Sequence, residues 1–233
     1  MNSQEFQKTA MASKLNWLRA GVLGANDGIM STSGVLMGVA GATTDFNTIL
    51  FTGVAAVVAG SISMAGGEYT SVSAQRDSEL AALEVERKEL AEQPELELRE
   101  LAWFYEQKGL SLETAKLVAE ELTAKDALRA HAEAELGIEV GAHASPMAAA
   151  ISSFVAFSAG GILPLVAVTG PWVSARIPAT VAAVVLSLVI TGYVGARIGG
   201  AKATRPIMRN VLISLATMGI TYGIGMLVGR SMG

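Results

Sequence analysis

The run Gly24-Ala25-Asn26-Asp27-Gly28 sets a carboxylate inside a stretch that is otherwise apolar enough to cross a bilayer. An ionised, unpaired aspartate at membrane depth costs at least about 2.5 kcal/mol, so such a group faces a cavity, a partner or an ion path unless it reaches headgroup water from a helix end. Asp27 lies only about two turns from the expected start of its helix, and the second reading stays open on this residue alone. Further on, Met64, Glu68 and Gln75 recur at spacings of four and seven, which puts them on one helical face. Gly24, Asp27, Gly28 and Ser31 make a matching stripe on the preceding segment. Met64 by itself reads as a packing or lipid-facing residue, and Glu68 by itself as an interfacial acid. Set opposite Asp27, the three form a more specific set: a hard carboxylate oxygen that must shed a proton to bind metal, and a soft thioether that Ca2+ and Mg2+ do not favour.

A second group of candidate ligands lies in the middle of the chain. Glu86 with Glu89 and Glu97 with Glu100 are carboxylate pairs at spacing three, and His131 with Glu135 stand four apart, so each pair shares a helix face. Like charges at that spacing repel mildly, so the repeated arrangement is either a solvated acidic face or a means of gathering a cation. His131 taken alone reads as a surface histidine. With no cysteine in the chain, any metal must be held by carboxylate, imidazole, thioether or backbone oxygen.

The elements that would position these groups follow from composition. Half of the 233 residues are hydrophobic, 16% are charged and the mean hydropathy is positive, which places the chain among membrane proteins. Five apolar runs, at about 20–41, 48–69, 147–169, 178–197 and 210–229, are each long enough for a bilayer core of about 30 Å. The expectation is therefore an all-α polytopic protein with five transmembrane helices and a helical cytoplasmic insert between the second and third spans. Its parts are a lead-in with spans one and two over 1–76, an acidic insert over 77–142, and spans three to five over 143–233. The N-terminus lacks the short apolar core and cleavage site of a signal peptide, so the first span is expected to stay. Gly24 with Gly28 and Gly34 with Gly38 predict a tight hairpin of the first two spans. A loop centred near residues 45–46 then brings Asp27 and Met64 to the same depth.

Residues 77–139 carry 17 acids and 7 bases, a net charge of -10, while the rest of the chain is +6. Such a module attracts cations and repels a phosphate backbone, so nucleic acid is not an expected partner. Within it, Pro94 opens a helix that Gly109 ends, Ser111 caps a third helix reaching Thr123, and a fourth runs from about Lys125 to Leu136 with Gly137 as its C-cap. With the N-terminus inside, 15 of the 17 Lys and Arg residues fall on the cytoplasmic side, leaving Arg176 and Arg230 outside. Short termini and an alanine-rich composition favour a bacterial inner membrane over a vacuolar one.

Gly24-Ala25-Asn26-Asp27-Gly28, Gly67-Glu68-Tyr69-Thr70-Ser71-Val72-Ser73 and Gln75-Arg76-Asp77 resemble the first-span and second-span signatures of the vacuolar iron transporter family, and the order of spans and insert is similar too. The resemblance covers nearly the whole chain. It implies a homodimer with its ion path between the first two spans of both subunits, proton-coupled export of Fe2+ or Mn2+ from the cytosol, and no prosthetic group. On that likeness Asp27 and Met64 correspond to the pathway ligands; Glu68, one turn towards the cytosol by its spacing from Met64, is expected to hand metal from the insert to them. Glu86, Glu89, Glu97, Glu100 and Glu135 correspond to the insert's glutamates. Where plant-type members place paired methionines before the last of these, this chain has His131 and Ala132. Two other readings are a membrane-tethered ferroxidase and a structural membrane protein. The ferroxidase would be expected to show Glu-x-x-His, whereas Leu128 stands three before His131; the structural protein leaves Asp27 without a reason.

Overall fold

The computed structural model describes residues 3–141, 144–200 and 202–232, with side chains described between residues 17 and 231. The side chains of Lys8 and Lys14, and the expected end of the insert at residues 142–143, lie outside the described residues. Every regular element among the described residues is helical: α1 (Ser3–Ala42), α2 (Phe46–Glu92), α3 (Pro94–Gln107), α4 (Leu112–Ala134), α5 (Pro146–Thr169), a 3-10 turn (Val173–Ala175), α6 (Arg176–Ile198) and α7 (Thr204–Met232). They form two compact units, Lys14–Thr70 with Pro146–Gly233, and Ser71–Ser145 with Met1–Ser13.

In the first unit, four helical stretches are long and apolar enough to cross a membrane: α2, α5, Val173–Ile198 and α7 as far as Ser231. α1 is not among them, because Asn26, Asp27, Ser31, Thr32 and Ser33 dilute its apolar character. Phe51, Ile62, Leu186, Leu212 and Leu227 are each at least 60% exposed. So many large apolar side chains facing outward suit lipid and not water. The chain is an integral membrane protein.

Close approach in this unit depends on small residues, but not where the glycine spacing alone suggested. Gly24 and Gly28 abut α5, where a Cβ on Gly24 would stand 2.9 Å from the Ser153 carbonyl oxygen and one on Gly28 would collide with that of Phe157. Gly34 and Gly41 abut α7 at Thr217 and Tyr222. The contact of α1 with α2 is made instead by Leu36, Ile49 and Gly53, with Val168 of α5 completing the cluster. Asp45 starts α2 by accepting from the Thr48 N–H at 2.7 Å and the Thr48 hydroxyl at 2.6 Å. Gly28→Ala should therefore lower the thermal stability of the detergent-solubilised protein, by about 1–3 kcal/mol of overpacking. Gly219, with nothing within 4 Å of an added Cβ, should gain slightly from the same change. Equal melting temperatures for the two variants would contradict this packing.

The second unit contains the far half of α2 with α3 and α4. Pro94 at the first turn of α3 needs no intrahelical partner for its missing N–H, and Gly109, at φ +98°, ends that helix. The Ser111 hydroxyl caps α4 by accepting from the Thr114 N–H at 3.3 Å. The third and fourth helices expected from sequence are the two arms of α4, broken at Asp126, whose backbone is extended at φ -166°. Asp126 begins the second arm by accepting from the Arg129 N–H at 3.1 Å. Gly137, at φ +65°, closes it, with the Ile138 N–H donating to the Ala132 carbonyl. Leu101, Ala102, Ala119 and Ala130 form the core between α3 and α4, where the alanines let the helices sit close together.

Candidate functional site

A cavity of about 370 Å3 opens between α1, α2 and α5, lined by Asp27 and Ser31 from α1, Gly60, Ser63, Met64, Gly67 and Glu68 from α2, and Phe157 from α5. The two polar stripes meet here because α1 and α2 are antiparallel about the Asp45 cap. Asp27 is exposed to the cavity and Met64 is half-buried in it. Glu68 is 9% exposed, and its Oε1 lies 3.4 Å from Nη2 of Arg19. Gln75, on the same sequence stripe, instead donates to Glu79 at 2.9 Å. Arg19 was not singled out as a site residue from sequence, though a signal for it existed. Equal-depth pairing about residues 45–46 sets Glu68 opposite Leu23, and Arg19 is one turn further out, within reach of a long side chain.

In the second unit a buried set converges on His131. Its Nδ1 lies 3.0 Å from Glu86 Oε1, 3.7 Å from Glu97 Oε2 and 3.7 Å from Glu135 Oε2. His131 is fully buried, and neither ring nitrogen has a hydrogen-bond partner; nor does Glu86 Oε1. Buried polar atoms are normally paired. Ligand atoms of Glu86, Glu97 and His131 lie within 4.8 Å of one another, and those of Glu86 and His131 lack a hydrogen-bond partner, which matches the needs of a cation held by oxygen and imidazole. Glu89 and Glu100 are not among the atoms around the imidazole. They lie near enough to act through charge.

Burial, followed by repulsion from Glu135, Glu97, Glu89 and Glu100, pushes the Glu86 carboxyl up to about 7. Glu97 is raised for the same reasons, burial first and then Glu100, Glu89 and Glu135. Carboxyls that resist ionising so strongly gain most from a bound cation, which relieves desolvation and repulsion together. The sequence reading of His131 alone as a surface residue is corrected: α4 turns it inward against glutamates from α2 and α3.

The sequence matches the VIT family over residues 18–226. It is 44% identical over 214 residues to a vacuolar iron transporter of Acanthamoeba castellanii, covering 91% of this chain and 78% of that one. It is 35% identical over 216 residues to vacuolar iron transporter homolog 5 of Oryza sativa subsp. japonica, with 92% and 81% covered. Against vacuolar iron transporter homolog 2 of Arabidopsis thaliana it is 33% identical over 214 residues, with 91% and 85% covered. A polar cavity among membrane helices, a buried acidic ligand set and relatives named as transporters agree: the chain belongs to the vacuolar iron transporter family and is a metal transporter, not an enzyme.

Proposed function

We propose that this protein exports Fe2+, with Mn2+ as a second substrate, from the cytosol in exchange for protons. In this reading α1 is a fifth span, the insert over 77–142 is cytoplasmic, and two copies assemble with the paths of α1 and α2 facing each other. The observation that carries it is the single cavity shared by Asp27, Met64 and Glu68. Asp27 is the hard ligand and must give up a proton to accept metal, so each metal bound can release one. Met64 adds sulfur, which biases the site against Ca2+ and Mg2+. A two-fold axis would double both ligands at one site. Glu68 sits one turn nearer the cytoplasmic side and passes metal on from the insert, where Glu86, Glu89, Glu97, Glu100, His131 and Glu135 concentrate it. Composition points to a bacterial inner membrane and the relatives' names to a vacuole. In both, the proton-rich compartment lies opposite the insert, so the direction of exchange is the same.

Proteoliposomes with a pH gradient provide the test: Fe2+ movement should acidify the compartment that the metal departs from, make its destination more alkaline, and stop when the gradient is collapsed by an ionophore. Flux of metal with no proton movement would remove the exchange mechanism. In the same assay Met64→Leu keeps the side-chain volume and removes the sulfur, so it should slow Fe2+ transport several-fold and reduce discrimination against Mg2+. An unchanged Fe2+ to Mg2+ ratio would count against a ligand role for Met64.

A further inference from the structure

A second, larger cavity of about 630 Å3 lies between α1, the end of α6 and the start of α7. Its polar lining includes Arg19, Asn26, Arg209 and Asn210, and its walls include Leu23, Ile198 and Pro206. The Asn26 carbonyl already accepts from the Thr191 hydroxyl at 2.6 Å, which leaves its amide hydrogens as donors. Two arginines and two asparagines thus border a chamber at one end of the membrane unit whose remaining lining, apart from Asp27 and Thr191, is apolar side chains and glycine. Asp27, the acid in this lining, is eight residues along α1 from Arg19, roughly 12 Å away by helical rise. Exposed Arg197, Lys202 and Arg205 extend the basic character around the turn from α6 to α7.

We propose that this cavity binds an anionic phospholipid. The phosphate sits at Arg209, Arg19 and Asn210, and an acyl chain lies along Leu23, Ile198 and Pro206. The planar fork of arginine matches phosphate oxygens, and a basic pocket between membrane helices is where a charged headgroup and its hydrocarbon are both accommodated. The apolar walls favour a lipid over a soluble phosphate, which would leave them without a partner. A consequence follows for the neighbouring path, and this step alone rests on the transport reading given above. Arg19 borders this cavity while its guanidinium contacts Glu68 at 3.4 Å. A bound phosphate competes with Glu68 for that guanidinium, so an occupied lipid site releases the Glu68 carboxylate to receive metal.

The binding step is tested without transport, by native mass spectrometry of the full-length protein in detergent titrated with phosphatidylglycerol, with phosphatidylcholine of the same chains, and with glycerol phosphate as competitor. Wild type should retain phosphatidylglycerol about ten-fold or more tightly than phosphatidylcholine. Arg209→Gln should lose that preference, and Arg230→Gln, which changes an arginine outside the cavity, should keep it. Equal retention of the two lipids by wild type overturns the proposal and needs no variant to do so. A folded Arg209→Gln protein with its preference intact overturns it as well, and displacement of the lipid by equimolar glycerol phosphate would make this a soluble-phosphate site. None of these outcomes bears on whether the protein carries metal, so the two readings fail separately.

Discussion

Asp27→Asn should reduce Fe2+ uptake by reconstituted proteoliposomes at least about 100-fold while the variant still inserts and elutes as wild type does. The amide copies the shape of the carboxylate but cannot exchange a proton and offers no anionic oxygen. Loss of a group that merely orients a metal ligand commonly costs 10- to 100-fold in affinity or activity, and loss of the ligand itself should cost no less. The fold should tolerate the change, because Asp27 is exposed to the cavity and the close packing of α1 is done by its neighbours Gly24, Gly28 and Ile29. The measurement pairs radioactive or dye-detected Fe2+ flux with a melting curve of the same preparation. Near-normal uptake by well-folded Asp27→Asn protein would sink the pathway role of this residue, and loss of uptake with loss of folding would call for Asp27→Glu, which should retain partial transport.

Much of this architecture is legible in local chemistry, and what was not legible depends on partners that spacing cannot name. The long α2 reads through because helix-forming residues continue past Thr70 to Glu92 without a glycine or proline, and Pro94, Gly109, Ser111 and Gly137 mark the insert's helix ends by their backbone preferences. Asp126 is an ordinary N-cap residue, yet the sequence reads as a helix starting at Lys125, because the alanine and leucine on both sides give no reason to expect a break one residue on. The glycine pairs of α1 announced close contact and not its partner: Gly24 and Gly28 meet α5, and Gly34 meets α7. The same limit applies to His131. Spacing four paired it with Glu135, but only the folding of α4 against α2 and α3 brings Glu86 and Glu97 to the same ring. That Asp27, Met64 and Glu68 line one cavity is legible from sequence because a hairpin has a centre and helices have faces, two facts that need no third element.

Replacing Glu86, Glu89, Glu97, Glu100 and Glu135 together with alanine should abolish metal capture by the insert and slow transport at low metal, yet spare much of the rate at saturating metal. In the proposed mechanism a collecting site raises the local concentration of cation near the path, whereas Asp27 is occupied in every cycle, so the first affects the apparent affinity and the second the maximal rate. The pH dependence separates the roles further. Glu86 is held up to about 7 by burial and then by its acidic neighbours, so below that value it keeps its proton and competes with the metal. Capture should therefore weaken as pH falls through about 7, well above the range of an ordinary glutamate. For the metal-free protein the sign is opposite. A carboxyl whose pKa is raised on folding stays neutral in the folded state while the unfolded chain ionises, so stability is greatest in mild acid and falls as pH rises towards 7. Saturating Fe2+ should cancel that loss by pairing the ionised carboxylates. The experiment is anaerobic titration calorimetry and thermal melting of the full-length protein at pH 5.5, 6.5 and 7.5, with and without Fe2+, against the five-alanine variant and against His131→Ala alone. Wild type should bind more heat-producing Fe2+ at pH 7.5 than at 5.5, the five-alanine protein should show only the residual heat of the membrane site, and His131→Ala should fall between them. Indistinguishable heats from wild type and the five-alanine variant would remove the metal-capture role of the acidic insert.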